Sequence, residues 1–202
     1  KSNVRQLPKH LAWRTFVVMV ATSTTTSLLF NMTTNGNAQL LAERLDGLVS
    51  DPSRLGTLLA LIYAVASLAQ LVVGRLLDWL PVKPLFFSVL FLQIVSFAVA
   101  SQSTGWAWYL AAIGYMVMVF AAIPFSDTMV VRYIDDAMRS RVSGTRIAIS
   151  FGISSLAVYS LGPVVKASGF TFLMMAASCV AALGALIVLF LPSESQMKQS
   201  AV

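Results

Sequence analysis

Two stretches of the chain carry the residues that could do chemistry. Ser23, Thr24, Thr25, Thr26 and Ser27 run consecutively, and Thr24, Ser27, Asn31, Thr34 and Asn35 follow i, i+3, i+7, i+10, i+11 spacing, which gathers hydroxyls and amides on one helix face. Such groups make neutral hydrogen bonds. The second stretch, Gly74 to Pro84, sets Arg75, Asp78 and Lys83 between two long apolar runs, with Pro81 and Pro84 to stop a helix from continuing. Charges are costly in hydrocarbon, so this stretch reads as a short polar hinge between two membrane spans. Nothing supplies paired intramembrane aspartates, a Ser/His pair or a His-Glu metal motif. The one histidine, His10, lies in a polar lead-in, and Asp135-Asp136 has no ligand cluster beside it. Neither an enzyme nor a metal site is expected.

The elements that position these residues must be membrane helices. Of 202 residues, 57% are hydrophobic and only 11% charged, and the mean hydropathy is +0.79. That is far outside the range of a soluble globular domain. The single cysteine, Cys179, sits in an apolar run, so there is no disulfide framework. A net charge of +6 would suggest nucleic acid in a soluble protein. Here the placement of the charges matters more than their sum, and no nucleic-acid partner is expected.

The predicted organisation is a polar, basic lead-in over 1–11, six spans over about 12–34, 56–77, 85–100, 107–131, 142–161 and 170–191, and a polar tail over 192–202. The first apolar run is of spanning length and heads a series, which argues against a cleaved leader. Because the first residue is Lys, the chain reads as a piece of something longer. Two readings of the first span's polar stripe stand open: hydroxyls bonding back to the preceding turn with Asn31 joining two helices, or a stripe lining a water-filled path. Gly36, between Asn35 and Asn37, is expected to end that helix, with a short amphipathic helix over 38–48 after it. The second span carries Gly56, Tyr63, Ser67, Gln70 and Gly74 on one face. The third and sixth spans are plain. Trp106, Trp108 and Tyr109 look like interfacial aromatics anchoring the fourth span, which has Tyr115 in its middle and Pro124 near its end. Asp127, the most embedded acid, lies close to the charged cluster Arg132, Asp135, Asp136, Arg139, Arg141 and Arg146, and reads either as part of a salt-bridged helix end or as a proton carrier. Gly162-Pro163 is expected to end the fifth span, with Lys166 in the loop beyond.

Six spans put both termini on one side. Of the 14 lysines and arginines only Arg44, Arg54 and Lys166 fall on the other, leaving 11 with the termini. The positive-inside rule therefore makes the termini and the hinge cytoplasmic, in a plasma membrane or bacterial inner membrane. The first triplet of spans starts inside and the second outside, the arrangement of inverted three-helix repeats.

Gly74-Arg75-Leu76-Leu77-Asp78, followed by Lys83 and Phe86, resembles the G-x-L-a-D-r-x-G-r-k signature that major facilitator superfamily transporters carry after the second span of each half. Leu40-Leu41-Ala42-Glu43-Arg44-Leu45 ahead of a Gly56-led span is similar to the family's external loop and next helix. Arg139-Ser140-Arg141-Val142-Ser143-Gly144 is similar to the basic R-x-R-x-x-G approach to its fifth or eleventh helix. The resemblance covers about residues 10–192. Trp79, Pro81 and Val82 depart from the signature and suggest the degenerate copy of a C-terminal half.

The resemblance implies an all-α integral membrane fold: six transmembrane helices as two inverted three-helix repeats, one half of the superfamily fold. The partner would be the N-terminal six-helix half of the same transporter, in a lipid bilayer. The function implied is secondary active transport of a small-molecule substrate by alternating access. No cofactor is expected, and proton coupling is left open. By analogy the first and fourth spans line the cavity, so Thr24, Ser27, Asn31 and Asn35 contact substrate or line its route. Tyr115 would stand across from them, and Tyr63 or Gln70 at the seam. At the cytoplasmic gate, formed by Gly74, Arg75, Asp78, Lys83, Asp127, Arg139 and Arg141, Asp78 is expected to face a helix N-terminus of the partner half. Arg75 or Lys83 is expected to pair with Asp127 or Asp135. A self-contained six-span channel or small transporter working as a homo-oligomer is the alternative.

Overall fold

The computed structural model describes residues 9–134 and 136–192, with side chains from Trp13 onward. Most of the predicted lead-in, Asp135 and the tail after Pro192 lie outside the described residues. The described residues are all-helical: α1 (Lys9–Arg44), α2 (Pro52–Trp79), α3 (Val82–Gln102), α4 (Gly105–Ala121), α5 (Ile123–Tyr133) and α6 (Arg139–Leu189). Five stretches are long and apolar enough to cross a membrane, α4 and α5 counting as one from Gly105 to Tyr133. This is the make-up of a multi-pass membrane protein.

Local chemistry explains most boundaries. The Asp51 side chain accepts the Ser53 N–H at 3.0 Å, and Pro52 opens α2 where a missing N–H costs nothing. The break in the hinge is confined to Leu80 and Pro81, both extended. Gly74, Arg75 and Asp78 thus belong to α2, while Lys83 and Pro84 lie in the first turn of α3. Pro124 sits at the start of α5, and the αR turn at Ala122 separates α4 from it.

Two expected helix ends move. α1 does not stop at Gly36 but continues to Arg44. A Cβ at Gly36 would lie 3.7 Å from Leu161 Cδ2, an ordinary packing distance, so this position packs against α6 within a continuous helix. Nor does α6 end at Gly162-Pro163; both residues are exposed within the helical run, and Pro163 forfeits one backbone bond without terminating it. The helical geometry is lost instead at Gly169, with φ 74 and ψ 173, a conformation open to glycine alone at no steric cost.

α6 packs along α1 and α3, and α2 along α4. The apolar interior falls into two clusters. One, towards the hinge, holds Met19, Phe86, Phe125, Met129 and Val188. The other holds Leu29, Leu41, Phe97, Trp108, Tyr115 and Phe170. Trp106 is half exposed, but Trp108 is fully buried, so the aromatic trio does not act as one interfacial group. Between the clusters the chain supplies buried polar residues: Thr22, Ser23 and Thr26 on α1 and Gln93 on α3. That belt leads to the site.

Candidate functional site

The polar stripe of α1 meets two other helices. Thr24 Oγ1 donates to the Val20 carbonyl at 2.8 Å, one turn back, and lies 3.3 Å from Ser150 Oγ on α6. Ser154 donates to Ser27 Oγ at 3.1 Å. One helical face therefore does both things that its sequence allowed: hydroxyls satisfy their own backbone, and the same oxygens tie α1 to α6. Asn31 does not join two helices. Its Nδ2 donates to the Ser27 carbonyl at 2.8 Å, and Asn35 repeats the pattern onto the Asn31 carbonyl at 2.7 Å. Asn35 is exposed and Asn31 partly so.

Nearer the hinge this stripe runs into a charge. Ser23 Oγ lies 3.1 Å from Ser126 Oγ on α5 and accepts from Arg146 Nη1 of α6 at 3.4 Å. Arg146 Nη2 donates to Asp127 Oδ1 at 2.7 Å. The two partners differ in setting, for the Arg146 side chain is 8% exposed and that of Asp127 78%. Both lie inside spanning helices: Asp127 is six residues before Tyr133, about 9 Å from the end of α5, and Arg146 is about 10 Å into α6. The result is a polar face built from Ser23, Thr24 and Ser27 of α1, Ser126 and Asp127 of α5, and Arg146, Ser150 and Ser154 of α6. The last three recur at i, i+4 and i+8, a one-face signal legible in the sequence once Arg146 is taken as helical and not as part of a charged loop.

The expected gate contacts are arranged differently. Asp127 is held by Arg146 and not by Arg75 or Lys83; Lys83 Nζ donates to the Leu189 carbonyl at 2.7 Å. Arg14 donates to the Phe190 carbonyl at 2.9 Å, Arg139 to the Val131 carbonyl at 2.7 Å, and Arg132 to the Leu77 carbonyl. These carbonyls lie at helix C-termini, where partners for backbone oxygens run out and the helix dipole is negative. Lys83, Arg14, Arg132 and Arg139 therefore cap helix ends. Arg139 also pairs with Asp136 at 2.5 Å. Arg75, Asp78 and Arg141 are exposed, and Gly74 is partly so.

The remaining candidates lie away from the stripe. The Tyr63 hydroxyl donates to the Thr34 carbonyl at 3.3 Å, joining α2 to α1, and Gln70 is partly exposed on α2. Tyr115 is fully buried, 5.0 Å from the Phe97 ring, and donates to Asn37 Oδ1 at 2.7 Å. Asn37, which sequence reasoning passed over as part of a loop, is thus the buried acceptor that fixes α4 against α1. Tyr115→Phe should cost about 1–2 kcal/mol, because the buried Asn37 Oδ1 loses the hydroxyl that donates to it. The midpoint of thermal unfolding in detergent measures it. Among the described residues no three His, Cys, Asp or Glu side chains converge as a metal site would require.

Comparison with known proteins adds no relative: no family model matches the chain, and a search of curated proteins finds no significant match.

Proposed function

We propose that the chain is a six-helix half of a secondary active transporter, moving a small solute by alternating access. The reading rests on one observation above the others. A carboxylate 78% exposed within a spanning stretch cannot face lipid, so the side of the bundle carrying Asp127, Arg146 and the α1 stripe must meet water or protein. A water-lined polar face in a membrane bundle is what a solute path requires.

Two further features support it. The 51-residue run of α6 would be about 76 Å long as one helix, more than twice the hydrocarbon thickness, so the break at Gly169 is best read as the turn between a fifth and a sixth span. Leu61, Leu68, Leu71, Val72 and Trp79 also leave the outer face of α2 exposed and apolar. That face suits contact with a second six-helix half in the bilayer. Inverted triplets, cytoplasmic termini and a plasma or bacterial inner membrane belong to the same proposal.

The test is uptake by the complete protein in liposomes, with and without a proton gradient, across sugars, organic acids and hydrophobic drugs. Transport of none of these, in a protein shown to be folded, refutes the reading. Two variants localise the machinery. Asn31→Ala is expected to raise KM or lower kcat at least about threefold, the effect of losing one neutral hydrogen bond worth about 0.5–1.5 kcal/mol; unchanged kinetics would remove Asn31 from the path. Asp78→Asn is expected to shift the balance of inward- and outward-open states, read by accessibility labelling, and an unchanged balance would make Asp78 a solvated surface residue.

A further inference from the structure

The guanidinium of Arg146 is only partly used by the protein. Nη2 donates to Asp127 Oδ1 and Nη1 to Ser23 Oγ, while Nε is buried and has no hydrogen-bond partner among the described residues. Nε–H and one Nη2–H point from the same edge of the planar group. Together they form the two-pronged fork that matches both oxygens of a carboxylate. Asp127 takes a hydrogen bond from Nη2, one of the two nitrogens of that edge. It is also mostly exposed, so leaving that prong costs its own solvation little, whereas Arg146 without an anion would be a buried uncompensated charge.

We infer that the Nε–Nη2 edge of Arg146 is a carboxylate subsite, at which a small monocarboxylate solute replaces Asp127, its resident placeholder. The incoming carboxylate binds both prongs, and Ser23 keeps Nη1. The hydroxyls that continue this polar face, Ser126 beside Ser23 and Ser150 beside Thr24, are neutral and add no charge. One buried cation pairs with one anion at a time: the incoming monocarboxylate takes the place of Asp127, whose own charge, already mostly exposed, turns to solvent. A phosphate dianion would bring one charge too many. Lys83, Arg14 and Arg139 each donate to a helix-end carbonyl, away from the Ser23, Ser126 and Asp127 side chains around Arg146. As a substrate site the inference rests on the transport reading, but its test does not.

The test uses the full chain in detergent at low ionic strength, with benzoate and, in a separate arm, inorganic phosphate as probes. The readout is the rise of the unfolding midpoint with probe concentration, which reports binding to the folded state. Wild type should respond to benzoate, and Asp127→Asn, which removes the competing negative charge, should bind it at least about tenfold more tightly. Should Asp127→Asn fail to fold without an anion, Arg146→Lys decides the matter. It keeps the charge pair but lacks the fork, and the benzoate response should vanish. The inference is overturned by no benzoate response in wild type, by an equal response in Arg146→Lys, or by phosphate binding as tightly as benzoate. Because binding is read without transport, failure here leaves the uptake result standing, and failure of uptake leaves this result standing.

Discussion

Phe125→Ala is expected to lower the stability of the bundle by about 3 kcal/mol. Phe125 and Phe86 are both fully buried and stack with ring centroids 4.4 Å apart and planes 9° from parallel. The pair ties the start of α5, which carries Ser126 and Asp127 of the polar face, to the start of α3. In a bilayer the loss is not one of hydrophobic transfer, because lipid is as apolar as the core. It is the loss of dispersion contacts and of the ring pair, leaving a cavity that rigid helices fill poorly. Unfolding by titration with a denaturing detergent measures it. Phe125→Leu, which refills part of the volume, should recover about half, and equal losses for Ala and Leu would show that the stack and not the volume carries the energy.

The second large effect lies where three helices converge. A Cβ on Gly184 would stand 3.1 Å from Thr25 Oγ1 and 3.7 Å from Leu90 Cδ1, so α1, α3 and the second part of α6 approach each other through this one missing side chain. Thr25 cannot retreat freely, since its hydroxyl donates to the Thr22 carbonyl at 2.9 Å. Gly184→Leu should therefore separate α6 from α1, at a cost of about 2–3 kcal/mol. Gly184→Ala should cost clearly less. Adding Thr25→Ala to Gly184→Ala should return part of the loss, and a strictly additive double mutant would show that the two sites do not touch.

How much of the site was legible follows from the same kind of reasoning. The stripe of Thr24, Ser27 and Asn31 follows from periodicity alone, because residues at helical spacing share a face whatever they pack against. Asp127 stood out as an embedded acid for the same local reason. Its partner was one of several charges in the cluster from Arg132 to Arg146, and that Arg146, 19 residues further on, is the one that pairs depends on how α6 packs against α5. Tyr115 was legible as a polar group in a span. That its hydroxyl turns to Asn37, and not towards the stripe, depends on the rotation of α4 against α1, which no local pattern encodes.

Glycine illustrates the same divide. Gly36, Gly169 and Gly184 are chemically identical, yet one admits Leu161, one breaks a helix at positive φ and one seats Thr25. The sequence by itself determined that the chain is apolar, helical and long enough in several stretches to cross a membrane, and where its hydroxyl face and basic end lie. Those properties come from composition and from the 3.6-residue period, which act within one helix. The tertiary structure alone decided that Arg146 is buried against Asp127 and Ser23, that Lys83 and Arg139 cap helix ends, and that α1 continues past Gly36. Each of these is a contact between helices distant in the chain, fixed by shape at close approach and by the cost of leaving a buried polar group without a partner.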